Sequence, residues 1–310
     1  MIRFDKEAPG GGVDAYTVLE NGKAEIYFTV YLVEEGEGQS AVTVEITMID
    51  PKGKEAARMR LQPMRGGTSA ESLWTEPLTT RTLLIYPQLW QSVNNPFLYR
   101  VKAHIIAGDT VMDAKEFPYP ICSMRNIPDK GFFLNQKSFT LHAVQYSLTK
   151  DWRKYLEKDL DLLVELGANC LCPDRFPKDS MFYEKCLEKG MIIWKLISEH
   201  PAMPKFWGGD KPLVSEDRLR RQDLFYYYQA CWSNREVLHI CNHEKTPRPG
   251  TTASAVVYSN HKKVALYVNG VLQEFKQTPP EFLFEDIPVK GEHTVVSVQA
   301  GDCFASVTWL

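Results

Sequence analysis

The sequence predicts a multidomain protein of mixed α and β type. A β-sandwich covers residues 1–124, a parallel α/β segment covers 125–232, and a smaller β-sandwich covers 233–310. Three observations predict this. Residues 12–122 alternate apolar and polar side chains with period two. Residues 131–231 interleave short apolar runs with helical periodicity. Beyond 237 the strand pattern returns, punctuated by Gly, Pro and Asn.

In the first zone, "KAEIYFTVYLV" and "AVTVEITMID" read as half-buried strands. "DPKG", Asp50 to Gly53, is a turn, and "FLYRVKAHII", "AGDT" and "VMDAKEF" form a hairpin. Strands this short, at this spacing, make a sandwich. In the middle zone "FTLHAVQ" is a strand. Trp152, Tyr155, Leu156, Leu160, Leu163 and Leu166 recur at helical spacing, with Gly167 placed to cap the helix. "ANCLCP" is a second strand. "KDSMFYEKCLEKG" is a second helix, with Asp179 as N-cap and Gly190 as stop, and "MIIW" is a third strand. This alternation specifies parallel βαβ units. "EDRLRRQDLFYYYQACW" is a last helix with an aromatic face. In the third zone Asn269-Gly270 joins two strand-like runs, a strong hairpin signal.

Composition narrows the function. The 310 residues carry a net charge of -3 with both signs interspersed, which argues against nucleic-acid or anionic-membrane partners. "MIRFDKEAPGGG" has no apolar core of a signal peptide, and no run approaches the ~20 apolar residues of a membrane span. The seven cysteines are odd in number and form no C-x-x-C pair. They read as reduced thiols, and the expected location is cytoplasmic. Cys170 and Cys172 share a strand face without further ligands, so they read as packed thiols rather than a metal site. No cofactor is expected.

Several stretches resemble glycoside hydrolase family 2, the β-galactosidase and β-glucuronidase family. "LWQSVNNPFLYRVKAHI" is similar to the end of its immunoglobulin-like domain, and "DKGFFLNQKSFTLHAVQ" to the entry of its barrel. "DLDLLVELGANCLCPDRFPKDSMFYEKCLEKGMIIW" resembles the barrel through its third strand. "KPLVSEDRLRRQDLFYYYQACWSNREVLHI" resembles the last barrel helix and exit, and "VVYSNHKKVALYVNG" an accessory sandwich. The resemblance implies an immunoglobulin-like β-sandwich, a truncated TIM-barrel-like α/β arc and a C-terminal immunoglobulin-like β-sandwich. The family's N-terminal jelly roll is expected to be absent. A full (β/α)8 barrel takes about 250 residues, and only 18 separate Trp194 from Leu213.

That interval is where the family places its two catalytic glutamates, the acid/base in an Asn-Glu pair after strand four and the nucleophile after strand seven. No Asn-Glu pair occurs in this sequence. The sugar-contact segments implied by the resemblance also differ. They read Ala143-Val144-Gln145-Tyr146-Ser147 after strand one and Cys172-Pro173-Asp174-Arg175-Phe176-Pro177 after strand two. The expectation is a catalytically incomplete relative acting as an interaction or carbohydrate-associated module. The alternative is a residual or repurposed O-glycosyl hydrolase, working alone or with a second chain that completes the barrel.

The catalytic candidates are Glu199 and Asp174, with Asp210 and Glu216 as further carboxylates that a repurposed pair would need. Glu199 follows an apolar strand in a Ser-Glu pair, but a lone carboxylate without a partner reads first as a solvated loop residue. Asp174 and Arg175 sit at a strand's carboxyl end, where barrel enzymes keep their sites, but they read first as a surface ion pair or helix cap. The substrate-binding candidates are Arg175, Trp207 and Gln145. Trp90, Trp207 and Trp232 are the aromatic candidates for stacking on a sugar ring; Trp207, expected to be exposed, is the best of them, and Trp90 precedes an Asn-Asn-Pro segment that the resemblance implies is structural. His142, His200, His239 and His243 lack the spacing of H-E-x-x-H or of a triad. An open arc would expose strand edges. The aromatic residues Phe225, Tyr226, Tyr227, Tyr228 and Trp232 are expected to cover one of them, and a second copy or a complementary chain to pair with the rest.

Overall fold

The structure, a computed structural model, describes residues 2–34, 41–62, 76–195, 203–241, 247–248, 250–289 and 293–309. Glu199, His200 and His243 lie outside the described residues. The chain divides into two compact units. The first holds Met1–Thr140 with Asp179–Gly190, and the second holds Leu141–Lys178 with Met191–Leu310.

The first unit begins with β1 (Ile2–Phe4), β2 (Val13–Glu20), β3 (Lys23–Val30), β4 (Leu32–Glu34), β5 (Thr43–Ile49) and β6 (Glu55–Leu61). It continues with β7 (Leu78–Ile85), β8 (Tyr99–Ala107), β9 (Thr110–Tyr119), β10 (Met124–Ile127), β11 (Gly131–Leu134) and β12 (Lys137–Ser138). One sheet runs β2-β3-β7 and the other β6-β5-β8-β9, all antiparallel. The alternation in β3 sends Ala24, Ile26, Phe28 and Val30 inward. They join one core with Val44, Ile46 and Met48 of β5 and Val101, Ala103 and Ile105 of β8. Each fully buried large apolar side chain adds about 1.5–3 kcal/mol, so these alternating positions specify the register. Asp50 makes the expected turn by accepting from the Lys52 and Lys54 amides, both at 2.9 Å.

The second unit begins with β13 (Ala143–Tyr146), α1 (Trp152–Leu166) and β14 (Cys170–Pro173). The chain then passes through α2 (Ser180–Glu188), whose contacts place it with the first unit, and returns as β15 (Ile192–Ile193). Strands β13, β14 and β15 pair in parallel, in that order, with Val144 beside Leu171 and Cys170 beside Ile192. Gly167 ends α1 at φ 90°, and the Ala168 amide donates back to the Leu163 carbonyl at 2.9 Å. Asp179 caps α2 by accepting from the Met181 amide at 2.9 Å.

The free edge of β13 is covered by backbone. The Gln145 amide donates to the Pro204 carbonyl, and the Phe206 amide donates to the Gln145 carbonyl, both at 2.9 Å. Lys205 is in turn bridged in parallel to Pro212. Residues 204–206 and 212–214 therefore extend the parallel sheet beyond β13. The aromatic residues of α3 (Asp223–Trp232) do other work. Tyr226 stacks on His239 at 3.8 Å, Tyr227 meets Tyr258, and Trp232 stacks on His142 at 5.0 Å.

The rest of the second unit comprises β16 (Leu238–Ile240), β17 (Thr252–Ser259), β18 (Val264–Val268), β19 (Val271–Lys276), β20 (Glu281–Pro288), β21 (Thr294–Ala300) and β22 (Cys303–Trp309). Sheets β16-β17-β20 and β19-β18-β21-β22 enclose Val257, Leu266, Phe282, Phe284, Val296 and Val298. Asn269 and Gly270 take φ 48° and 78°, the left-handed pair that a two-residue hairpin needs. Among the described residues, no helix is long and apolar enough to cross a membrane.

Candidate functional site

The carboxyl ends of the parallel strands bring most of the predicted residues into one region of the second unit. Gln145 ends in the β13 pairing with 204–206 described above. Asp174 follows β14. Its amide donates to the Tyr146 carbonyl at 3.0 Å, and its carboxylate accepts from the Leu148 amide at 3.1 Å. The Arg175 guanidinium donates to the Leu148 carbonyl. Asp174 and Arg175 thus pin the loop after β13 through both polar groups of Leu148. Asp210 and Glu216 are exposed.

Trp207 follows the 204–206 segment. The expectation of an exposed ring is corrected here: the indole is half-buried, and its N–H donates to the Ser147 carbonyl at 3.1 Å. The Arg218 guanidinium lies 4.9 Å from its ring centroid and 4.7 Å from that of Tyr155. Stacking of this kind contributes about 0.5–2 kcal/mol, more as water is excluded. Trp90 belongs to the first unit and is fully buried, with its indole donating to the Leu187 carbonyl at 3.1 Å. It has no face left for a sugar ring.

At the centre of the region is a buried polar network that the sequence reading missed. Asp159 is wholly buried on α1. Its carboxylate accepts from the Tyr146 hydroxyl at 2.8 Å and from Arg218 Nε at 3.2 Å. Burial holds the Asp159 carboxyl above the usual carboxylate range, while Tyr146 and Arg218 pull the other way. Arg218 reaches Asp159 from a tight loop. Its amide donates to the Ser215 carbonyl at 2.9 Å, and the Arg220 amide donates to Ser215 Oγ at 3.0 Å. Arg218 itself sits at φ 57°, a conformation costing about 1–3 kcal/mol in a non-glycine residue. The sequence did carry one sign of this network. Asp159 falls on the Leu156-Leu160-Leu163 stripe, where a charge needs a buried partner. Nothing in the spacing pointed to Arg218, 59 residues away.

His142 and His239 play packing and tethering roles. His142 Nδ1 lies 3.0 Å from the Gly167 carbonyl, and His239 Nε2 lies 2.8 Å from Asp223 Oδ1. Cys170 and Cys172 are buried free thiols. Contact with Cys172, together with burial, keeps Cys170 protonated.

Chemically, the region orders a positive charge between two aromatic rings and fixes two carboxylates in place. Asp159 and Asp174 each hold structural donors. Retaining hydrolysis needs two carboxylates about 5–5.5 Å apart, with one free to attack.

Residues 12–119 match the family model of Glycosyl hydrolases family 2. Over that segment the chain is similar to this family. A β-glucuronidase of Bacteroides fragilis is 27% identical over 144 residues, 44% of this chain and 20% of that relative's length. The matching segment is thus about a fifth of that curated relative. Among solved structures, an FMN-binding β-glucuronidase from Facaelibacterium prausnitzii L2-6 superposes with TM-score 0.80 at 16% identity, covering 99% of this chain and 75% of its own. Bacteroides uniformis β-glucuronidase 2, covalently bound to cyclophellitol-6-carboxylate aziridine, superposes with TM-score 0.78 at 14% identity, covering 99% and 62%. At these identities the likeness is one of fold.

Proposed function

We propose that this chain is a family 2 module that does not hydrolyse glycosides by itself, and that its parallel sheet is a shortened arc of the family barrel. The observation that carries this reading is the pairing of residues 204–206 with β13. In a closed (β/α)8 barrel the eighth strand lies beside the first. Here only residues 195–203 separate the third strand from the segment that occupies that place. Each further βα unit would need about 30 residues. The strands that carry the family's acid/base and nucleophile have no room in this interval. The engagement of Asp159 and Asp174 by structural donors supports the same conclusion. The aromatic and cationic surroundings of Trp207 and Arg218 suit a retained carbohydrate-associated role, with Gln145 and Arg175 nearby.

A covalent probe tests this. The aziridine bound to the Bacteroides uniformis enzyme belongs to a class that captures the nucleophile of retaining enzymes. Intact mass spectrometry of this chain after incubation with such a probe is expected to show the unmodified mass. Stoichiometric labelling on a carboxylate would contradict the proposal.

A further inference from the structure

We propose that Glu236, His261 and Cys303 form a binding site for a zinc-type transition-metal ion in the second unit. They come from three places in the chain: the segment before β16, the turn after β17 and the first residue of β22. Cys303 Sγ lies 3.6 Å from Glu236 Oε2, and His261 Nε2 lies 3.9 Å from Glu236 Oε1. One ligand atom from each residue lies within 4.8 Å of the other two. Zinc bond lengths of about 2.0–2.3 Å in a tetrahedron put ligand atoms about 3.5 Å apart. The three groups therefore need to close by about 1.3 Å at most, and the exposed Glu236 side chain is free to make that movement.

A second observation points independently to a ligand. His261 Nε2 is buried and has no hydrogen-bond partner among the described residues. Such a nitrogen has lost its solvation without gaining a partner in return. It is also the atom that faces the carboxylate across a gap too long for a hydrogen bond. A metal ion in that gap would satisfy it.

The surroundings hold the geometry. Asn260 Nδ2 donates to the Arg235 carbonyl at 2.6 Å, and Asn260 Oδ1 accepts from the Val237 amide at 3.1 Å. Ser259 Oγ donates to the Val237 carbonyl at 2.6 Å and accepts from the His261 amide at 3.2 Å. The segment carrying Glu236 is thus fastened to the turn carrying His261. Gly301, in the turn before β22, borders the His261 ring. A Cβ there would sit 3.4 Å from the imidazole Cε1.

The ligand set selects the metal. Thiolate with imidazole favours zinc and its neighbours, whereas calcium and magnesium demand oxygen ligands. Three protein ligands leave a fourth position to solvent. The other candidate cluster, Asp223, His239 and Cys241, has its His nitrogen already hydrogen-bonded at 2.8 Å and its ring stacked on Tyr226. It serves as the control.

The test is calorimetric titration of the reduced full chain with Zn2+ alone, supported by Co2+ absorption. The expected result is stoichiometric binding with a sulfur-to-cobalt charge-transfer band. Both should be lost in Cys303→Ser and His261→Gln and kept in Cys241→Ser. Glu236→Gln alters an exposed side chain and leaves the fold unchanged. It is expected to weaken binding by about tenfold or more, since even outer-shell changes cost 10–100-fold. Absence of stoichiometric binding, or binding kept in Cys303→Ser, would overturn the proposal. So would binding lost in Cys241→Ser alone.

Discussion

Replacing Arg218 with Met is expected to destabilise the second unit by about 3–5 kcal/mol at neutral pH, because it strands a buried carboxylate. Asp159 would keep only the Tyr146 hydroxyl. Replacing both partners, Asp159→Asn with Arg218→Met, removes the charge as well as its partner. It is expected to cost far less than the single change. The loss also depends on pH. The folded Asp159 carboxyl lies above its usual range through burial. Folded molecules therefore hold more protons than unfolded ones just above that range, and this group's contribution to stability falls as pH rises through the window. Removing Arg218 widens the window upward. The penalty of Arg218→Met should therefore be greatest near neutrality and shrink in mild acid, as Asp159 takes up a proton. Hydrogen exchange of the α1 amides measures the second unit directly, without assuming that both units unfold together. A penalty below about 1 kcal/mol, or one independent of pH, would contradict this account.

Gly190→Ala should be similarly damaging in the first unit. Gly190 sits at φ 76°, and a Cβ there would lie 2.4 Å from the Ser92 carbonyl carbon and 2.5 Å from the Val93 nitrogen. Both neighbours are backbone. Ser92 is itself buried, with its hydroxyl donating to the Gly190 carbonyl at 2.7 Å. Gly53 provides the comparison, because its φ is 83° and a Cβ would meet nothing within 4 Å. Gly53→Ala carries only the left-handed backbone cost of about 1–2 kcal/mol. Gly190→Ala adds a backbone displacement and is expected to lose about 3 kcal/mol or more, by analogy with overpacking. Urea midpoints reporting on the first unit would separate the two, and equal midpoints would refute the close-approach argument.

Features set by local chain chemistry were legible. Gly167 caps α1, Asp179 caps α2, and Asn269-Gly270 turns a hairpin, because each depends on a few adjacent residues. The alternating faces of β3 and β5 were legible for the same reason. Features set by long-range meetings were not. Asp159 and Arg218 come from different elements, and only the anomalous charge on an apolar stripe hinted at a partner. Trp207 was misjudged because a short loop between two strand-like segments hid its bond to Ser147. The Glu236, His261 and Cys303 cluster has no spacing signature at all, since a hairpin turn delivers its third member.

The central claim is the proposal that this chain does not hydrolyse glycosides by itself. Steady-state turnover of aryl β-glucuronides and β-galactosides by the purified chain tests it most directly, with Glu199→Gln measured alongside. The account predicts release of the aryl group at the rate of buffer for both proteins. Saturable turnover that disappears in Glu199→Gln would contradict it.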